Sequence, residues 1–291
     1  MFERLSRSWD LVQASAAVLR DDKELLILPV ISGFCSLMVM AAFLAPAYLT
    51  GALEAIARDS QDGGMPGAGM TAEIYVAVFL FYIVQYFVVF FFNTALVGAA
   101  LLRLGGHNPT LGDALAIATA RIGQIAGYAV VSATVGLLLR MIAERFGFLG
   151  RIVEAMFGLA WSVSTFLVVP IIAAHGIGPV RAVKESAALL RKTWGENLIG
   201  NGGIGLAVTV VVMPIAFIGF GAMQYLFAQP GMAPAAILVA AATVLALAAI
   251  GIFAAALGGV YSAALYLYAD GGTTMRGFDR SLLEGAFTRK A

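Results

Sequence analysis

The sequence predicts an all-α membrane protein. Six transmembrane helices are expected, as three parallel repeats of an amphipathic cytoplasmic helix plus a two-span hairpin. Three observations carry that expectation. Hydrophobic residues make up 61% of the 291 positions and charged residues 12%, with a mean hydropathy of +0.91. Soluble domains carry about 25% charged residues, so this chain lacks the polar surface a water-soluble globule needs. Six apolar stretches reach the ~20 residues that a helix requires to cross hydrocarbon with its backbone satisfied. Short amphipathic segments precede the first, third and fifth of them.

The first segment places Leu5, Trp9, Val12, Ala16 and Leu19 on one helical face, with Arg4, Arg7 and Asp10 away from it. Asp21 and Glu24 have the spacing of a capping box that would end this helix and open the first span, Leu25–Leu49. That run is too long for a signal-peptide core, and it reads as a retained span. A Gly-, Asp- and Pro-rich connection follows, from Thr50 to Glu73. The second span is Ile74–Leu102. Thr110 and Asp113 then occupy capping positions for a short helix, Leu111 to Arg121. The third and fourth spans are Ile122–Ile142 and Ile152–Ala174. Pro179 opens a second amphipathic helix whose apolar stripe is Val180, Val183, Ala187, Leu190 and Trp194. Leu198–Ala228 and Pro234–Ala269 complete the six. Pro46, Pro170 and Pro214 mark candidate kinks.

The segments at 12–20 and 183–191 match in letters without a gap, Ser15 against Ser186 and Leu19-Arg20 against Leu190-Arg191. Two spans per unit return the chain to the same side, so the repeats run parallel. The units cover about 3–103, 109–175 and 178–269 of a single membrane domain, residues 1–291, with a short cytoplasmic tail at 276–291. Fourteen of the eighteen Lys and Arg residues fall on the side of the termini, and four (Arg58, Arg140, Arg145 and Arg151) fall on the other. That bias places both termini in the cytoplasm.

The candidate chemistry is sparse. One cysteine, Cys35, excludes an internal disulfide, and the histidines His107 and His175 form no metal-site spacing. No metal and no cofactor are expected. The net charge of +1 argues against a nucleic-acid partner. Span centres hold no ionisable residue, and Arg140, Glu144, Glu154 and His175 fall at span ends, where snorkelling is cheap. No protease or P-loop motif is present, so an enzyme is not expected.

Two groups of binding candidates remain. The stretch Trp194–Gly203 combines Glu196, Asn197 and Asn201 with four glycines at a span entrance. It reads either as an unwound solute-site entry or as a helix start capped by Asn197. Gln85 and Asn93 are polar within the second span, either for interhelical hydrogen bonding or along a polar pathway. The lipid-surface candidates are Arg4, Arg7, Trp9, Arg20, Lys23, Arg181, Lys184, Arg191 and Lys192, on helices that read as headgroup-layer helices or as connectors. The expected partners are membrane lipids, a second copy or a membrane partner protein.

The residues Ser8-Trp9, Ser15, Val18-Leu19-Arg20, Asp22–Leu26 and Pro29, with Phe91–Leu96, Trp161-Ser162-Val163, Pro170 and Arg191–Asn197, resemble an uncharacterised family of prokaryotic multi-pass membrane proteins. The resemblance covers the chain to about Gly205. It implies a bacterial or archaeal inner-membrane location and assigns no activity. Two function classes follow from the residues: a small permease, channel or lipid-handling protein, or a non-catalytic scaffold or accessory subunit acting through its cytoplasmic helices.

Overall fold

The computed structural model describes residues 19–20, 22–51, 54, 72–194 and 203–270. Among them there is no strand. A 3-10 turn, Lys23–Leu26, leads into α1 (Ile27–Leu49), followed by α2 (Ala72–Leu104), α3 (Leu111–Ala120), α4 (Ile122–Ser164), α5 (Val168–His175), α6 (Pro179–Trp194), α7 (Gly203–Phe227) and α8 (Ala233–Ala269). Six stretches are long and apolar enough to cross a membrane: Glu24–Leu49, Glu73–Leu104, Ile122–Ala143, Arg145–His175, Val208–Phe227 and Ala233–Ala269. This is the architecture of a multi-pass membrane protein, and four of its spans lie close to where hydropathy alone puts them; the fifth, expected at Leu198–Ala228, starts at Val208, and residues 198–202 lie outside the described residues.

The fourth span differs from its expectation. The third and fourth spans share α4, which reverses at Gly147, where φ is 55° and ψ is −127°. Few residues other than glycine adopt that backbone. A Cβ on Gly150 would fall 2.6 Å from the Ile142 carbonyl oxygen, which records how tightly the two arms fold back. The returning arm then breaks at Thr165–Leu167 before resuming as α5, so this span is discontinuous. Pro170, third residue of α5, has no N–H to give to Phe166, which explains a break one turn before it. The helices α1 and α7 run through Pro46 and Pro214.

The packing is uneven along the bundle. At one end, here called the closed end, Ala95, Leu96, Val97, Ala99 and Ala100 of α2 are buried. They pack with Leu167, Val168, Ile171 and Ile172 around α5 and with Ala256, Val260, Ala263 and Ala264 of α8. Gly259 supplies the close approach of α8 to α2, since a Cβ there would fall 2.5 Å from Leu96 Cδ2. Towards the opposite, open end, Phe34, Leu37, Leu80, Leu138, Phe217 and Leu245 are exposed. Lipid is as apolar as leucine, so such faces carry no penalty in a bilayer.

Candidate functional site

The helices α3 and α6 cover the closed end. For α3, the expected capping box is present: Thr110 Oγ1 accepts from the Asp113 N–H at 3.2 Å, and Asp113 Oδ2 accepts from the Thr110 N–H at 2.9 Å and from its hydroxyl at 2.8 Å. The backbone bond first, and then the hydroxyl, hold the Asp113 carboxyl below its ordinary range. Ala114 and Ala118, one turn apart, form the buried face.

In α6 the buried face is Ala182, Ser186 and Leu190, again spaced by four. This corrects the expected stripe, because Val180 is exposed and Ala187 is only half-buried. The small residues let α6 approach closely. Ser186 then makes a specific bond: its Oγ accepts from the Leu167 N–H at 3.1 Å, in a fully buried position at the break in the fourth span. The side opposite that face carries Arg181, Lys184 and Arg191, all exposed. From Arg181 to Arg191 this basic edge rises about 15 Å.

A second polar group joins α5 to α8. His175 Nε2 lies 2.7 Å from the Tyr266 hydroxyl, which also lies 3.5 Å from Asp270 Oδ2. Beside them Gly176 closes α5 in the left-handed region, with φ 61°, and its carbonyl accepts from Gln124 Nε2 at 2.9 Å. A Cβ on Gly176 would fall 2.6 Å from Arg121 Nε, which is itself buried without a hydrogen bond. On the far side of the closed end Arg103 Nε pairs with Asp22 Oδ2 at 3.7 Å, and Arg103 also donates to Asn108 Oδ1.

The expected site residues are distributed as follows. Gln85 and Asn93 are both half-buried on α2, about 12 Å apart along the helix. Gln85 Oε1 is buried without a hydrogen bond, and Asn93 lies by the α2–α8 contact at Gly259. Arg20, Arg181, Lys184 and Arg191 are exposed. Glu196, Asn197, Asn201, Arg4, Arg7 and Trp9 lie outside the described residues, as do the side chains of Lys23, Lys192 and Trp194. Ser186, His175 and Arg121 are not among the site residues that the sequence points to. The letter match of Ser15 with Ser186, and the four-residue spacing of Ala182, Ser186 and Leu190, are the signals that point to Ser186.

The model of a family of unknown function, DUF6159, matches residues 72–278, and the chain belongs to that family. The match starts after the Ser8–Pro29 residues quoted above and continues well beyond Gly205. No curated protein matches the chain.

Proposed function

We propose that this member of the family is a non-catalytic lipid-handling protein of a prokaryotic inner membrane, with both termini cytoplasmic, that engages anionic phospholipid headgroups through α6. The observation that carries the reading is the division of α6 into a buried small-residue face and an exposed edge of Arg181, Lys184 and Arg191. Docked on the bundle, that edge stands at the level of the headgroups. The Lys and Arg bias of the sequence assigns the same end to the cytoplasmic leaflet. The three-repeat organisation belongs to this reading, supported by Leu19 and Leu190, which are buried at matched positions of the letter repeat.

A lipid role is favoured over a channel by the apolar packing of the closed end. Leu96, Val97, Leu167, Val168, Val260 and Leu265 fill the space between α2, α5 and α8, where a polar conduit would run. The same basic edge would serve a scaffold by binding an acidic partner protein.

Each Lys or Arg near an anionic surface contributes about 1 kcal/mol. Replacing Arg181, Lys184 and Arg191 by Gln is therefore expected to weaken anionic-lipid preference by up to about a hundredfold at low salt. The experiment is mass spectrometry of the full chain released from nanodiscs of mixed phosphatidylglycerol and phosphatidylcholine. Equal retention of the two lipids by the wild-type chain would sink the proposal. A co-purifying acidic protein lost with the same three substitutions would favour the scaffold.

A further inference from the structure

The central helix α2 has one opening. From Phe81 to Ala100 every residue of it is buried or half-buried except Val89, which is 39% exposed. Val89 shares a face with Tyr82, Gln85, Tyr86 and Asn93, since the five follow spacings of three and four. Carboxamides therefore bracket the opening, Gln85 one turn to one side and Asn93 one turn to the other. Among the described residues neither side chain makes a hydrogen bond, and Gln85 Oε1 is buried without one. Interhelical bonding, one of the two roles the sequence leaves open for this pair, is thus not the role they serve among those residues.

The wall opposite is α8, which runs parallel to α2. An added Cβ on Gly259 would meet Leu96 and would lie 3.7 Å from Asn93 Oδ1, so Asn93 marks the bottom of the opening. One and two turns back along α8, Ala255 and Gly251 are exposed, and a Cβ on Gly251 would meet nothing within 4 Å. There α8 leans on α7 instead, with Gly219 against Thr243. The helices α2 and α8 touch at Gly259 and part towards the open end, and the small side chains keep the gap wide.

Depth and charge define what fits. Along α2, Asn93 stands about 16 Å and Gln85 about 28 Å from Leu104 at the closed end. Both lie within a hydrocarbon core about 30 Å thick when Leu104 is set at its boundary. An amide without a partner is costly there, so the opening calls for an occupant that offers hydrogen bonds. No charged residue occurs in α7 or α8, or in α2 between Glu73 and Arg103. A phosphate or an ammonium would be left unpaired among them. Ester carbonyls, in contrast, accept from a carboxamide N–H, and a hydroxyl donates to its oxygen. Between the amides, Val89 and the alanine–glycine wall offer apolar surface to an acyl chain.

We propose that this window holds the glycerol ester region of an uncharged glycerolipid of the diacylglycerol class. Gln85 and Asn93 bond its ester and hydroxyl oxygens. The window lies on another helix and at another depth than the basic edge of α6, and it takes a neutral lipid, so either assignment can fail alone.

The test places the full chain in phosphatidylcholine nanodiscs that contain a diazirine-labelled diacylglycerol or, at equal mole fraction, phosphatidylcholine with the same label. After photolysis, peptide mass spectrometry reads the adducts at residues 85–93 and 248–255. The amide hydrogen bonds are expected to favour diacylglycerol by about fivefold or more. Gln85→Met with Asn93→Leu should abolish that preference. So should Val89→Trp, which fills the window and keeps both amides. Unfolding of each variant in mixed micelles of dodecyl maltoside and SDS shows whether the bundle is intact, and removal of the amides should leave the midpoint unchanged or raise it. Equal adducts from the two lipids in the parent chain would overturn the proposal. A preference that survives either variant would do the same, as would a disulfide-linked dimer of Val89→Cys with Cys35→Ser, which would put a second copy in the window.

Discussion

Ser186 offers the sharpest test of how the closed end is held together. Its hydroxyl is the acceptor for the Leu167 N–H at the break in the fourth span, with both residues fully buried. Ser186→Ala removes the acceptor with almost no change in volume, so the cost is that of an orphaned N–H. A buried donor left without a partner costs about 1–3 kcal/mol. Within membrane bundles the measured range for interhelical bonds is lower, about 0.6 on average with a maximum near 1.7, because the unfolded state in lipid also finds partners. Leu167 lies in a turn where the Val163 carbonyl, its α-helical acceptor, already accepts from the Phe166 N–H. Relaxation into a helical bond is therefore hindered, and we expect about 1–1.7 kcal/mol, or roughly a fivefold to fifteenfold loss in the folding equilibrium. Reversible unfolding in mixed micelles of dodecyl maltoside and SDS measures it. Ala188→Ser, on the exposed side of the same helix, is the control. If Ser186→Ala shifts the transition no more than that control, the hydroxyl is not the cap of the broken span and the reasoning fails.

Gly259→Ala is expected to destabilise the chain by about 1–3 kcal/mol through overpacking, since the added Cβ would meet Leu96 at 2.5 Å. Gly258→Ala, where nothing lies within 4 Å, should be close to neutral. Leu96→Ala is costly by itself, at about 2–5 kcal/mol, but in that background the added cost of Gly259→Ala should shrink, a coupling that a double-mutant cycle reads in the same unfolding assay. The third prediction concerns acid. The Asp113 carboxyl is held below its unperturbed 3.8 by the Thr110 backbone and hydroxyl. A depressed carboxyl stabilises above its unfolded value and loses that contribution as pH falls through the folded one. Amide-exchange protection of α3 should thus be steady above about pH 4 and drop in more acid solution. In Asp113→Asn the drop should be absent, and an unchanged profile would show that the capping box is not its cause.

What the residues disclose in advance is set by which forces act along the chain and which act across it. Span positions follow from about 20 apolar residues per crossing, a local count, and α1 and α8 lie close to where that count puts them. The capping box at Thr110 and Asp113 is likewise local, and it is present. The break at Thr165–Leu167 leaves hydropathy untouched, so only Pro170 hints at it. The buried face of α6 departs from the apolar stripe for a different reason. An apolar stripe marks the inside of a soluble helix, but against lipid the hydrophobic gain is nearly absent, and close approach decides instead. Hence Ala182 and Ser186 are inside while Val180 is out. The His175–Tyr266 contact joins residues 91 positions apart, and no local pattern announces it.

The same rule of size organises the whole closed end and bears on how α6 can act. Ala95, Ala99 and Ala100 of α2, Ala114 and Ala118 of α3, Ala182 and Ser186 of α6, and Ala256, Ala263 and Ala264 of α8 are all buried. Gly98 meets Ile117 of α3, and Gly259 meets Leu96 of α2. Towards the open end, the spans also present large apolar side chains such as Phe34, Leu37, Leu80 and Phe217 to their surroundings. A helix seated through small side chains and one buried hydroxyl has little freedom to roll, because roll would replace alanine with valine at the contact. The Arg181, Lys184 and Arg191 edge is therefore pointed away from the bundle by the packing beneath it, and its direction is a property of the buried face. Loosening Ser186 should then reduce the discrimination between anionic and zwitterionic lipids even though Ser186 touches neither. In contrast, Ala188→Ser, on the exposed side near the charges, should leave discrimination intact.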